Sequence, residues 1–213
     1  MGGEGDKLLL ELRGLPVVAW SIGALERSGA VDAVVVVASE SNLERIAVVL
    51  EGLQTQVPVE LVLGGVRRQD SIARAVEHLA ANPPDMVMVH DGARPLVSPG
   101  LVRAVLESAN QHGAATVGLP LKNATKVVDD QGFIKRSLER ATLVSVQTPQ
   151  AFRFDILARA HREGAAQGAV VDDDAELVER IGCPIKVVRG DYRNIKITTP
   201  DDVALAEVHL ATT

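Results

Sequence analysis

The chain has 213 residues, enough for one α/β domain with a full core, and 46% of them are hydrophobic, which excludes a disordered chain. Its formal net charge of −6 argues against a nucleic-acid surface driven by bulk charge, yet leaves room for a local basic pocket that takes a phosphorylated small molecule. A single cysteine, Cys183, permits no internal disulfide and points to a reducing cytoplasm, the start has no signal-peptide pattern, and no apolar run approaches the ~20 residues that span a membrane.

Aromatic residues make up only 2% of the chain, so Val, Ile, Leu and Ala must fill the core. The chain opens "MGGEGDKLLLELRGLP", a Gly-rich charged stretch with no strand before it. Val31–Ser39 is a continuous β-branched run, as expected of a strand buried on both faces. Residues 41–53 follow with helical spacing and Ser41 as N-cap. A second strand, Val59–Gly65, ends in a glycine pair, and residues 67–81 read as a helix. Asp85–Asp91 is a third strand. Residues 98–113 open with Ser-Pro and close on Gly113, matching helix start and stop signals. Residues 115–121 form a fourth strand.

The rhythm then changes. Residues 122–152 are strand-like with a turn at Asp129–Gly132 and no helical period, which predicts a β-hairpin or arm projecting from the sheet. Helices return near Phe154–Glu163 and Asp173–Ile181. "PIKVVRG" and "NIKIT" read as late strands, and residues 199–211 close as a helix capped by Thr199. Repeated β-α units predict a mostly parallel sheet with helices on both faces, whose ligands bind beyond the carboxyl ends of the strands. Gly64–Gly65, His90–Arg94 and Pro120–Lys126 fall at those ends.

Each polar constellation has two readings. In "LGGVRRQDS", Gly64, Gly65, Arg68 and an N-cap-like Ser71 either cradle a nucleotide or form a tight turn with solvated arginines. In "MVMVHDGARP", Asp91 and Arg94 either hold Mg²⁺, a substrate hydroxyl or a phosphate, or pair with each other to pin the loop. His90 reads as a packed, hydrogen-bonded histidine rather than a base. "VVDDDAEL" places three acids at a helix start, where the helix dipole alone favours at least one. Lys196 interrupts an apolar strand and points either to solvent or into a site; Lys7 is equally open. No spacing fits a zinc site or nucleophilic catalysis.

Taken together, "GGVRRQDS", "VHDGARP", "QTPQAF", "DDDAELVE" and "NIKITTPDDVALAE", in this order and spacing, resemble the 2-C-methyl-D-erythritol 4-phosphate cytidylyltransferases over Met1 to His209. The resemblance implies a Rossmann-like single nucleotidyltransferase domain, residues 1–213, with 120–150 as a dimerisation β-arm. It implies CMP transfer from CTP to methylerythritol phosphate with release of pyrophosphate, Mg²⁺ being held mainly by the CTP phosphates. Lys7 and Lys196 would flank the α-phosphate as the catalytic pair. Gly64, Gly65, Arg68 and Ser71 would bind the nucleotide. Asp91, Arg94, Thr125, Thr148 and Asp172 would bind the polyol phosphate, with Arg140 reaching from the arm into the neighbouring subunit's site. Family members begin with a strand and an A-A-G-x-G-x-R-M-like loop; Met1 matches the methionine of that loop, so the resemblance implies that the first central strand is absent here, leaving either a gap in the sheet or two formerly separated strands closed directly together. Asn123 and Ala124 replace the family's Asp-Thr in the arm, and Asp172 stands in place of Thr. Ribitol-5-phosphate cytidylyltransferases are similar, and a non-catalytic dimeric α/β protein is a further alternative.

Overall fold

A computed structural model describes the backbone of residues 4–211, with side chains from Lys7 onward. A 3-10 helix, Glu4–Leu9, leads to a short antiparallel pair, β1 (Glu11–Leu12) and β2 (Leu15–Pro16), and then to α1 (Val17–Glu26). The strand–helix alternation follows: β3 (Val34–Ala38), α2 (Leu43–Glu51), β4 (Val59–Leu63), α3 (Arg68–Leu79), β5 (Met86–Val89), α4 (Pro99–His112) and β6 (Ala114–Pro120). The arm is the hairpin of β7 (Lys126–Val128) and β8 (Ile134–Ser137), turned through Gly132 at φ +86°. The chain returns through β9 (Val144–Arg153), α5 (Phe154–Ala166), α6 (Asp174–Arg180), β10 (Lys186–Arg189) and α7 (Pro200–Ala211).

The main sheet has the order β10-β6-β9-β5. β10 pairs with β6 in parallel, whereas β9 runs antiparallel to both β6 and β5. Three of the four strands therefore point the same way, as expected of a mostly parallel sheet, and β9 is the antiparallel exception. The last nine residues of the segment expected to project belong instead to an inner strand of the sheet: the hairpin leaves the fold, and β9 comes back between β5 and β6. β3 and β4 pair in parallel as a separate two-stranded sheet. Among the described residues no ladder joins the β3–β4 pair to β5 or to any other strand of the main sheet, which is the gap of the two expected arrangements and not direct closure.

Period-two alternation puts helices on both faces of the main sheet. Met86 and Met88 of β5 and Ala151 of β9 pack with Val102, Val105 and Ala109 of α4 and Ala24 of α1. Their neighbours Val87, Val89 and Phe152 pack on the opposite side with Val76 of α3, Leu157 and Ala160 of α5, and Leu177 and Val178 of α6. α1, to which the sequence pattern assigned no element, is buried by three clusters at once: Ala24 in the first, Val18 and Ile22 against β3 and α2, Val17 and Trp20 against α7. A helix apolar all round carries no amphipathic period to read.

The helix boundaries follow local chemistry. Ser98 accepts from the Leu101 N–H, Pro99 occupies N1, and Gly113 ends α4 at φ +88°, all as the sequence predicts. The Asp202 carboxylate accepts from both the N–H and the hydroxyl of Thr198 and Thr199 at the start of α7. Ser41 does not cap α2; it lies inside a 3-10 turn, Glu40–Asn42, that precedes it. "NIKIT" joins no ladder. Ile197 is buried against Leu12, Val17 and Ala206, and its N–H donates to the Ala93 carbonyl at 2.8 Å. No described helix is long and apolar enough to cross a membrane.

Candidate active site

β5 ends in the loop His90–Arg94, and three hydrogen bonds fix its shape. The Asp91 N–H donates to Thr148 Oγ1 at 3.0 Å, that hydroxyl lies 3.2 Å from His90 Nδ1, and His90 Nε2 lies 3.0 Å from the Arg94 carbonyl. A carbonyl can only accept, so Nε2 carries the imidazole proton, Nδ1 is the acceptor and Thr148 donates to it. The arrangement needs a neutral ring. Burial pushes the His90 pKa from 6.5 down to about 4, with the Arg94 cation adding to the fall and the Arg94 carbonyl and Asp91 opposing it. His90 is thus the packed, bonded histidine that the sequence suggested.

A pH dependence follows. Unfolded histidine takes its proton near pH 6.5, the folded ring only near pH 4. The stability tied to neutral His90 is complete above pH 6.5 and is lost as pH falls toward 4, by at most about 3 kcal/mol. Asp91 and Asp174 are both held below 3.8 and titrate outside this window. Denaturant unfolding at pH 7.5 and 4.5 is expected to show a smaller acid loss in His90→Gln than in the unmodified chain. Identical losses would contradict the assignment.

Asp91 itself gathers cations. Lys196 Nζ lies 3.1 Å from Oδ2, Arg68 Nε 3.4 Å from Oδ1, and Arg94 Nε 3.5 Å from Oδ2. Burial would raise the Asp91 pKa, but Lys196, Arg68 and Arg94 together outweigh it and hold the carboxylate below its ordinary range. Lys196 and Arg68 keep 42% and 32% of their side-chain surface, so a dissolved anion can reach both. In a chain of net charge −6, three cations here face two carboxylates, Asp91 and Asp174.

What holds Lys196 there is its flanks. Asn194, fully buried, donates from Nδ2 to the Thr148 carbonyl at 2.8 Å, and its own carbonyl accepts from Arg94 Nη1 at 2.8 Å. Asn194 opens the quoted "NIKITTPDDVALAE" but receives no site role from the sequence. Arg94 Nε and Asn194 Oδ1 are buried without a hydrogen-bond partner. Thr148, 5% exposed and followed by a cis peptide to Pro149, serves first as the lock of the Asp91 loop.

The glycine pair needs space rather than unusual dihedrals. A Cβ on Gly65 would lie 2.4 Å from Asp70 Cβ, and one on Gly64 would lie 2.8 Å from Ser71 Oγ. The Gly64 N–H donates to the Ala38 carbonyl at the end of β3, and the Gly65 N–H to Ser71 Oγ at 3.1 Å. Ser71 is therefore not the N-cap. Arg67 holds that position, and both its backbone N–H and its guanidinium donate to the Asp70 carboxylate. The two arginines divide the two readings: Arg67 is an exposed cap, whereas Arg68 turns inward to Asp91 and to Asp174, which its Nη1 meets at 2.8 Å.

The three acids also separate. Asp173 caps α6, accepting from the Glu176 N–H and from Gln150 Nε2. Asp174 is 1% exposed and meets Arg68 and His161. Asp172, the one the sequence singled out, is exposed and outside the cluster. Arg140 donates to the Lys122 carbonyl and Thr125 to that of Asn123, so both bond within the arm. Lys7 is half-buried in the 3-10 helix whose next residue, Leu8, packs on Gly92 beside Asp91. Two clefts, of about 410 and 480 Å³, lie elsewhere and are lined by none of Asp91, Arg68, Arg94 or Lys196. Among the described residues no group of three or more His, Cys, Asp or Glu could hold a metal ion.

The family model for 2-C-methyl-D-erythritol 4-phosphate cytidylyltransferase matches residues 1–212. The enzyme of that name from Pelotomaculum thermopropionicum is 47% identical over 209 residues, covering 97% of this chain and 87% of its own. The one from Bacillus licheniformis is 39% identical, covering 99% and 90%. Among solved structures, 4-diphosphocytidyl-2C-methyl-D-erythritol synthase from Anaerococcus prevotii superposes with a TM-score of 0.88 at 27% identity, covering 97% of this chain and 94% of that one. 2-C-methyl-D-erythritol 4-phosphate cytidylyltransferase from Thermus thermophilus does so with 0.80 at 33%, covering 99% and 96%.

Proposed function

The chain belongs to the 2-C-methyl-D-erythritol 4-phosphate cytidylyltransferase family, and from that premise we propose that the Asp91 cluster is its reaction centre. The chain is a CTP-dependent nucleotidyltransferase of isoprenoid precursor synthesis. An oxygen of the acceptor phosphate attacks the α-phosphorus of CTP; one P–O bond forms, the bond to the β-phosphate breaks, and pyrophosphate leaves. Such a reaction needs positioning and neutralisation of charge rather than a covalent nucleophile.

The residues divide that work. Lys196 and Lys7 flank the α-phosphate and stabilise charge that develops there. Gly64, Gly65 and Ser71 let the nucleotide approach the backbone between β4 and α3, with Arg68 beside it. Arg94 takes the acceptor phosphate, while Asp91 accepts from an acceptor hydroxyl and spaces the cations. Mg²⁺, when bound, supplies further neutralisation of the triphosphate. With Asp91 already engaged by Lys196 and Arg68, the donor set fits an ion carried by phosphate oxygens rather than caged by protein. The observation that carries this reading is Lys196 Nζ at 3.1 Å from Asp91, at the carboxyl end of a strand.

The chain acts as a homodimer through its arm, with Arg140 reaching the partner's acceptor site and Thr125 and Asp172 serving the polyol phosphate. Support comes from the arm's own surface: Val128, Phe133 and Ile134 are 54%, 68% and 66% exposed, an apolar tip that a second copy would cover. Function is tested by offering CTP with equal amounts of methylerythritol 4-phosphate and ribitol 5-phosphate. The methylerythritol product is expected to dominate; comparable or greater kcat/KM with ribitol phosphate would overturn the acceptor assignment.

A further inference from the structure

Behind Arg68 stands a second pair that the reaction just described does not use. Asp174 opens α6 with 1% of its surface exposed. Its Oδ1 lies 2.9 Å from Nε2 of His161, itself buried on α5, and its Oδ2 lies 2.8 Å from Arg68 Nη1. The charges then continue through Arg68 to Asp91 and Lys196. His161, Asp174 and Arg68 thus form an unbroken line from the α5–α6 layer to the charged cluster.

Holding helices together does not account for this line. α3, α5 and α6 already share an apolar cluster through Val76, Leu157, Ala160, Leu177 and Val178. A buried ion pair adds little to such packing, since desolvation offsets most of its attraction. What the pair does uniquely is fix direction. The guanidinium is a planar fork, and a carboxylate gripping one terminal nitrogen sets the plane in which the remaining N–H groups lie. Asp174 can do this because His161 fixes its other oxygen. With Nη1 held and Nε beside Asp91, Arg68 keeps the donors of Nη2 and 32% of its side-chain surface for an anion.

We propose that Asp174, oriented by His161, is a positioning residue that aims Arg68 at the phosphates of the nucleotide. The inference rests on the reading of the cluster as a cytidylyltransferase centre. It places the control of Arg68 on α6, in a residue that does not itself touch substrate.

A double-mutant cycle tests it, read both as kcat/KM for CTP and as the Kd of CTP with Mg²⁺ by calorimetric titration. Asp174→Asn is expected to lower kcat/KM and weaken binding at least tenfold in the unmodified background. In the Arg68→Ala background the same change is expected to cost less than twofold, because there is no fork left to aim. His161→Phe, which removes the donor behind Asp174, is expected to cost several-fold with Arg68 present and nothing measurable without it. Equal losses in both backgrounds would show a purely structural pair and overturn the proposal, as would full activity of Asp174→Asn. An unmodified chain that neither turns over nor binds CTP would instead remove the parent reading, and this inference with it.

Discussion

Lys196→Ala is expected to lower kcat by about 30- to 1,000-fold, the equivalent of the ~2–4 kcal/mol that a preorganised charge at a reacting centre contributes. The loss would be catalytic rather than structural. Lys196 is 42% exposed at its side chain, and the segment that carries it is held by Asn194 and Ile197, which the substitution leaves in place. Removing the ammonium takes away the Asp91 partner at 3.1 Å and frees Arg68 and Arg94 to close on that carboxylate, which draws them from phosphate. Steady-state turnover alongside a thermal melt separates the two effects. An unchanged rate with an unchanged melt would mean that Lys196 is only a surface residue and that the cluster is not the reaction centre.

Arg140→Ala and Lys196→Ala proteins, each nearly inactive alone, are expected to recover activity when mixed and allowed to exchange subunits. Lys196 is placed by its own chain's Asp91 loop, whereas Arg140 sits on the arm with its hydrogen bond to the Lys122 carbonyl and its side chain exposed. If the arm serves the partner's site, each mixed dimer rebuilds one complete site, and random exchange restores about one quarter of the sites to full composition, half the sites of each mixed dimer being intact. Confirmed exchange with no recovery would place Arg140 in its own subunit's site or outside catalysis.

Where folding is decided by neighbours in sequence, the sequence alone reveals it. Ser98, Pro99 and Gly113 bracket α4 because a cap, a fixed φ and a left-handed terminus all act within a few residues. The charge centre was legible in part for the same reason, since Asp91 and Arg94 are three apart on one loop. The placement of β9 was not legible. Its antiparallel ladders to β5 and β6 reach across dozens of residues, and its composition matches the arm that precedes it. "NIKIT" misled because alternation reports burial, not pairing: Ile197 is buried by packing on Leu12 and Val17, with no strand beside it. Among the three consecutive aspartates no period distinguishes one from another. Asp173 takes the cap, which turns Asp174 inward to His161 and Arg68 and leaves Asp172 in solvent. Asn194 opens the quoted "NIKITTPDDVALAE", but its role in the site appears only when Arg94 and Thr148 arrive on either side.

The most direct measurement is ³¹P NMR of the purified chain with CTP, Mg²⁺ and methylerythritol 4-phosphate. Pyrophosphate and a product with two mutually coupled phosphorus signals, the mark of a new P–O–P linkage, are expected to grow in equal amounts as CTP and the acceptor monoester disappear. Release of CMP or inorganic phosphate without the coupled pair, or no change at all, would contradict the account.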